Sequence, residues 1–171
     1  MNKLDYLDYL YYSIGKQRCD FELQSQKKDG FMSKRRWYSE VGFEKQKWFL
    51  DKANARTILK NEVVIDIDPE RGESDKDFQA RLINTVRMVL SENADRVGIF
   101  ESNRGVHIHL FYNTMFHKPL VWRKKFRSSM IKKYQADPQK SSERVTINLE
   151  FANHWKSGKV KGLLKGNLLE E

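Results

Sequence analysis

The stretch EVVIDID, Glu62 to Asp68, constrains the fold more than any other part of the chain. Its β-branched residues alternate with acids and Pro69 follows, so it reads as a strand that stops at the proline. Side chains on a strand point to opposite faces in turn, which puts Val63, Ile65 and Ile67 on one face and Asp66 and Asp68 on the other. Such a strand needs an apolar cover on one side and reserves the other for polar groups.

VHIHLFY, Val106 to Tyr112, is sided in the same way, with Val106, Ile108 and Leu110 opposite His107 and His109. It is preceded by RVGIFE, and the small and polar residues SNRG between them predict a hairpin turn. A helix is expected from about Ser74 to Asn93, where Phe78, Leu82, Val86 and Val89 recur at helical spacing, and a second from Leu120 to Tyr134. RVTINLEF then closes as a strand with Val145, Ile147, Leu149 and Phe151 inward, leaving Thr146, Asn148 and Glu150 on the polar side.

The order from Glu62 to Phe151 is therefore β-α-β-β-α-β, the split βαβ or ferredoxin-like arrangement that RNA-recognition domains also use. In that arrangement the first and third strands are central neighbours and the fourth lies beside the first. The expected class is α+β, with an RRM-like core at 61–160 preceded by an N-terminal α/β extension at 1–60, within one domain spanning 1–171. Within the extension a helix is expected at Lys3 to Ser13, extended pieces at Phe21 to Leu23 and Arg35 to Val41, and a helix at Phe43 to Ala53.

With 32 Lys and Arg against 23 Asp and Glu, the 171-residue chain carries a formal charge of +9. That balance favours a polyanionic partner, nucleic acid or nucleotide first. The single cysteine, Cys19, excludes an intrachain disulfide and a multi-cysteine zinc site. The opening residues mix acids with apolar groups, so no signal peptide, membrane span or membrane partner is expected, and a cytoplasmic location follows.

On the polar side of the expected sheet, three carboxylates and two imidazoles gather. Two aspartates one residue apart at the end of a buried strand are costly unless solvated or paired with a cation. Hard oxygen ligands suit Mg²⁺ or Mn²⁺, which bridge carboxylates to substrate phosphates. A strand end whose acids simply face water has the same pattern. SNRG can cradle phosphate through backbone N–H groups, the Ser102 hydroxyl and the Arg104 guanidinium. HWKSGK, His154 to Lys159, adds an imidazole and two ammonium groups just past the last strand.

Taken in order, VVIDIDPE, SNRGVH and HWKSGK resemble three motifs of the archaeo-eukaryotic primase superfamily, which includes primase small subunits and the polymerase domains of bacterial end-joining ligases. The resemblance covers the core. It implies a template-directed nucleotidyltransferase, a DNA primase or polymerase, in which two divalent ions, Mg²⁺ or Mn²⁺, are held by Asp66, Asp68 and a third acid. Glu150 is the better placed third acid on strand geometry, and Asp137 competes through its interval to HWKSG. The resemblance further implies that Ser102, Arg104, Gly105, His107, His154 and Lys156 bind a nucleoside triphosphate, with His109 an extra imidazole. RCDF and KRRWYS are similar to template or nucleotide segments of primase small subunits and bring in Arg18 and Arg36. The implied partners are template and primer DNA, an RNA primer, and a primase large subunit, helicase or ligase. The zinc cysteines of many primase small subunits are missing.

Two other readings compete. HIH also matches the metal motif of rolling-circle initiators and relaxases, in which a helix tyrosine, here Tyr134, attacks the scissile phosphate. A non-catalytic RNA-recognition module is the third, and it needs aromatic side chains on an open sheet face.

Overall fold

The computed structural model describes residues 3–39 and 51–164. Among them lie three α-helices and seven strands, α1 (Lys3–Ile14), β1 (Cys19–Gln26), β2 (Met32–Ser39), β3 (Ala55–Thr57), β4 (Glu62–Ile67), α2 (Asp75–Leu90), β5 (Arg96–Glu101), β6 (Val106–Phe111), α3 (Leu120–Lys133) and β7 (Thr146–Asn148). The class is mixed α+β, with two antiparallel sheets ordered β2-β1-β3-β7 and β4-β6-β5. The helix expected from Phe43 to Ala53 lies mostly outside the described residues. No described helix is long and apolar enough to cross a membrane.

The three-strand sheet follows the alternation read from the sequence. β6 is the central strand and β4, expected at the centre as well, is an edge strand; the two pair in register, with Asp66 opposite His107 and Val64 opposite His109. Their apolar face carries Val63, Ile65, Ile67, Val106, Ile108 and Leu110 into one core with Phe78, Leu82, Val86 and Val89 of α2 and Met130 and Ile131 of α3. α2 begins where the sequence places it, because the Ser74 side chain accepts a hydrogen bond from the Asp77 N–H at 3.1 Å. That bond satisfies an amide the first turn leaves over.

Two corrections apply to the last strand. β7 pairs with β3 in the second sheet and does not lie beside β4, and it covers only Thr146–Asn148. The chain leaves strand geometry because the Leu149 N–H donates to the Asn54 carbonyl at 2.8 Å and Phe151 adopts a φ of 66°. A non-glycine residue in that region turns the chain sharply, so the inward and outward alternation expected through Phe151 stops short.

The polar face of the three-strand sheet is not open. α1 and the second sheet lie over it, and Tyr6, Leu10, Ile14, Cys19, Phe21 and Leu59 pack with Phe100, Phe111 and Leu149 in a second core. Ile58 and Ile147 of the second unit reach Val64 of β4. Gly98 makes the fit possible, since a Cβ there would stand 2.3 Å from Tyr6 Cε2. The Tyr6 ring rests on that gap and meets Phe100 edge-on at 4.8 Å. The first sixty residues are thus the lid of the sheet and not an appendage.

α3 is tied to the corner that leads into β4. Arg127, fully buried, donates to the Glu62 and Leu59 carbonyls at 2.8 Å each. Arg123 grips Glu143 at 2.6 and 3.0 Å. The Arg127 bonds fix the start of the strand that bears Asp66.

Candidate active site

The end of β4 meets the 102–105 turn at very close range. Ser102 N–H donates to the Gly105 carbonyl at 2.9 Å and Gly105 N–H donates to Ser102 Oγ at 3.0 Å, which closes SNRG into a tight loop. A Cβ on Gly105 would fall 1.9 Å from the Ile67 carbonyl and 2.9 Å from Asp68 Oδ1. Only glycine lets the turn press against the aspartate strand, which is a reason of close approach and not of backbone angle.

Asp66 is nearly buried, and its Oδ1 has no hydrogen-bond partner although His107 Nε2 lies 3.4 Å away. Burial pushes its carboxyl up, yet His107, Lys140 and Lys161 outweigh that and hold it below the usual range. Asp68, one step past the strand, is exposed and shifted the other way, first by desolvation and then by the charge of Asp66. His107 is pushed down to about 4 by burial and by Lys161, so it is neutral near pH 7. Its Nδ1 is also without a partner.

A cleft of about 350 Å³ opens over this strand end, and Asp66, Asp68, Ser102, Arg104, His107 and His154 all line it. The residues come from the end of β4, the turn between β5 and β6, the start of β6 and the loop after β7. The second sheet contributes the far wall with Gln24, Met32, Thr146 and Asn148, and Trp155 and Lys140 complete it.

His154 is held by its own loop. Its Nδ1 accepts the N–H groups of Lys156 and Ser157 at 3.1 and 3.3 Å, and Gly158 N–H donates back to the His154 carbonyl at 2.9 Å. An accepting Nδ1 puts the proton of the neutral ring on Nε2, which makes His154 a donor. Lys156 itself is exposed and does not line the cleft; its backbone shapes the loop.

Asp137 stands next to the aspartate pair. Its N–H donates to the Asp66 carbonyl at 3.2 Å, and Lys140 Nζ lies 3.6 Å from its Oδ2 and 3.7 Å from Asp66 Oδ2. Glu150, favoured on strand geometry, is elsewhere. Both its oxygens bind Arg56, at 3.0 and 2.9 Å, and Tyr6 donates to it as well. The early end of β7 explains the difference, since Glu150 turns into the space between the sheets.

His109 keeps the face expected of it but lies fully buried, with Nδ1 2.7 Å from Glu62 Oε2. Arg56 bonds Glu62 twice, at 2.8 and 2.7 Å, so Glu62, His109, Glu150, Arg56 and Tyr6 form one dry cluster. Glu62, His109 and Glu150 place ligand atoms within 4.8 Å of one another. The guanidinium already satisfies both carboxylates there.

Arg18 and Arg36 do not reach the cleft. Arg18 lies 3.2 Å from Asp20, Arg36 lies 3.1 Å from Glu22, and both border a separate recess with Lys60 and Arg144. Tyr134 caps α3 on the helix side of the sheet, its hydroxyl on Glu92 and the Met88 carbonyl, across the sheet from the histidines.

The sequence reading missed Arg56, Tyr6, Lys140 and Lys161. Arg56 had a signal, as the one charge inside the otherwise uncharged ANARTIL, and Lys140 had a weaker one, three residues after Asp137. Lys161 is buried, donates to the Asn148 carbonyl at 2.9 Å and is pushed down to about 8 by burial. Comparison with protein-family models, curated proteins and solved structures finds no match for this chain.

Proposed function

We propose that the chain is a template-directed nucleotidyltransferase of primase or polymerase type, working at the cleft above the end of β4. The observation that carries this reading is the meeting of three separately legible motifs, IDID, SNRG and HWKSG, around one polar opening. The carboxylates fit a divalent ion, Mg²⁺ or Mn²⁺, because Asp66 Oδ1 lacks a partner and Asp68 is raised by desolvation and then by its neighbour's charge. A cation removes both penalties.

Asp66 and Asp68 would hold the ion, with Asp137 rather than Glu150 the third acid in reach. When bound, such an ion lowers the pKa of an attacking hydroxyl and neutralises a leaving pyrophosphate. The chain's own groups do the rest by placement. The Arg104 side chain and the Asn103 and Arg104 amides offer donors to a triphosphate, the Ser102 and Gly105 amides being used within the turn, and a guanidinium can take two phosphate oxygens at once. His154 presents Nε2–H, and His107, neutral, contributes a hydrogen bond and not a charge. Template and primer nucleic acid are the partners this reading requires, in keeping with the formal charge of +9.

The split βαβ likeness supports the reading for three of its four strands, those of the three-strand sheet. The nicking alternative asks for a tyrosine beside the histidines, and Tyr134 is on the other side of the sheet. A stacking module asks for an open aromatic face, and here that face is covered by α1 and the second sheet.

The test is extension of a primed template with Mn²⁺ or Mg²⁺ and ribo- or deoxyribonucleoside triphosphates. Wild type should extend, and Asp66→Asn with Asp68→Asn should abolish extension while the fold is retained. No extension by wild type under any of these conditions overturns the proposal, as does unchanged extension by the double variant.

A further inference from the structure

We infer that Lys140 fills the place of one of the two divalent cations at this site, so that the chain binds a single ion where two are expected. The inference rests on the nucleotidyl-transfer reading and concerns the cation count of the same cleft.

The Lys140 ammonium stands between two carboxylates, 3.7 Å from Asp66 Oδ2 and 3.6 Å from Asp137 Oδ2, and its side chain is 13 % exposed. Neither distance is a tight hydrogen bond, so charge centres the group between the acids. Its backbone is fixed. The turn Pro138–Ser141 is capped by Asp137, whose Oδ1 accepts the Gln139 N–H at 3.0 Å, and Lys140 N–H donates to the Asp137 carbonyl at 3.3 Å.

The two oxygens of Asp66 are thereby divided. Oδ2 faces Lys140, while Oδ1 is buried without a hydrogen-bond partner. Asp68 is on the strand end beyond, exposed, and is not among the ion pairs of the described residues. One divalent ion on the Asp66 Oδ1 and Asp68 side, with the ammonium on the other, brings three positive charges to three carboxylates. A second divalent ion would have to enter against a fixed cation about 4 Å from the ligand it needs, and repulsion at that range is strong near a protein surface. A lysine also differs from an ion in that it cannot leave with product.

The experiment is a Mn²⁺ titration of the metal-free full chain by calorimetry, with bound Mn²⁺ counted by electron paramagnetic resonance and no nucleotide present. Wild type should bind one ion. Lys140→Met should bind a second, or bind the first roughly tenfold tighter, and Lys140→Arg should keep the wild-type count. Equal number and affinity in Lys140→Met and wild type overturn the inference. Asp66→Asn with Asp68→Asn separates the two readings. If it leaves Mn²⁺ binding intact, the metal site itself is wrong; if it removes binding while Lys140→Met matches wild type, only the role of Lys140 falls. No binding by any variant overturns both. A thermal melt establishes that each variant is folded, and Lys140→Gln replaces Lys140→Met if that variant is not.

Discussion

Two clusters of acids and cations stand near each other in this protein and are built to opposite ends. In the first, Arg56 lies between Glu62 and Glu150 with Tyr6 and His109 at its margins, all of it out of water. In the second, Asp66, Asp68, Lys140 and His107 line a cleft, and Asp137 stands behind Lys140. Every carboxylate oxygen of the first has a donor, and only His109 Nε2 there lacks a partner; the second leaves a carboxylate oxygen, Asp66 Oδ1, without one, and His107 Nδ1 as well. A buried cluster whose carboxylate oxygens are all bonded holds the fold. A wet, under-bonded one has capacity left for a ligand.

Removing one partner from the dry cluster should have the largest effect. Arg56→Met strands two buried carboxylates and should cost about 3–5 kcal/mol, measured by urea unfolding. Adding Glu62→Gln and Glu150→Gln to it should recover part of the loss. If Arg56→Met is neutral, the contrast between the clusters fails.

Acid strips the same cluster more gently. Burial pushes Glu150 up, but Arg56, His109 and Lys161 outweigh it and hold the carboxyl at about 2, against an ordinary 4.5. A depressed carboxyl contributes stability that is present above about pH 4.5 and lost as pH falls toward 2. Urea midpoints measured across that window should fall with pH, and Glu150→Gln should flatten the slope.

Gly105→Ala tests the edge of the wet cluster. Its methyl group meets the Ile67 carbonyl at 1.9 Å, so the turn must move, at about 1–3 kcal/mol. The displaced turn should also weaken the Mn²⁺ binding proposed at Asp68.

The smallest effect on stability belongs to the candidate ligands themselves. Asp68→Asn relieves the repulsion with Asp66 and should change stability by no more than about 0.5 kcal/mol, in the stabilising direction. Wild type should melt higher with Mn²⁺ than without, and the same change should remove that rise. A large destabilisation would mean that Asp68 serves the fold, and the two clusters would then be alike in kind.

Much of the frame was legible because it depends on local rules. Alternation placed Asp66 and His107 on one face of the sheet, periodicity found α2, and Ser74 marked its start. Glu150 was misplaced because strand alternation was carried past Asn148, where a bond from Leu149 to Asn54 and the turn at Phe151 end it. That bond joins residues ninety-five positions apart in the chain, and nothing near Glu150 announces it.

By itself the sequence determined which side chains share a face on the aspartate and histidine strands, where the aspartate strand ends and that a glycine turn stands before the histidines. Periods of two and of three to four residues are properties of the backbone and survive without tertiary context. Only the tertiary structure decided that the polar face of the sheet is covered, that His109 and Glu150 are consumed by Glu62 and Arg56, and that Lys140 reaches Asp66. Those outcomes depend on contacts between distant segments, where the burial of a charge is settled by whichever partner the fold brings to it.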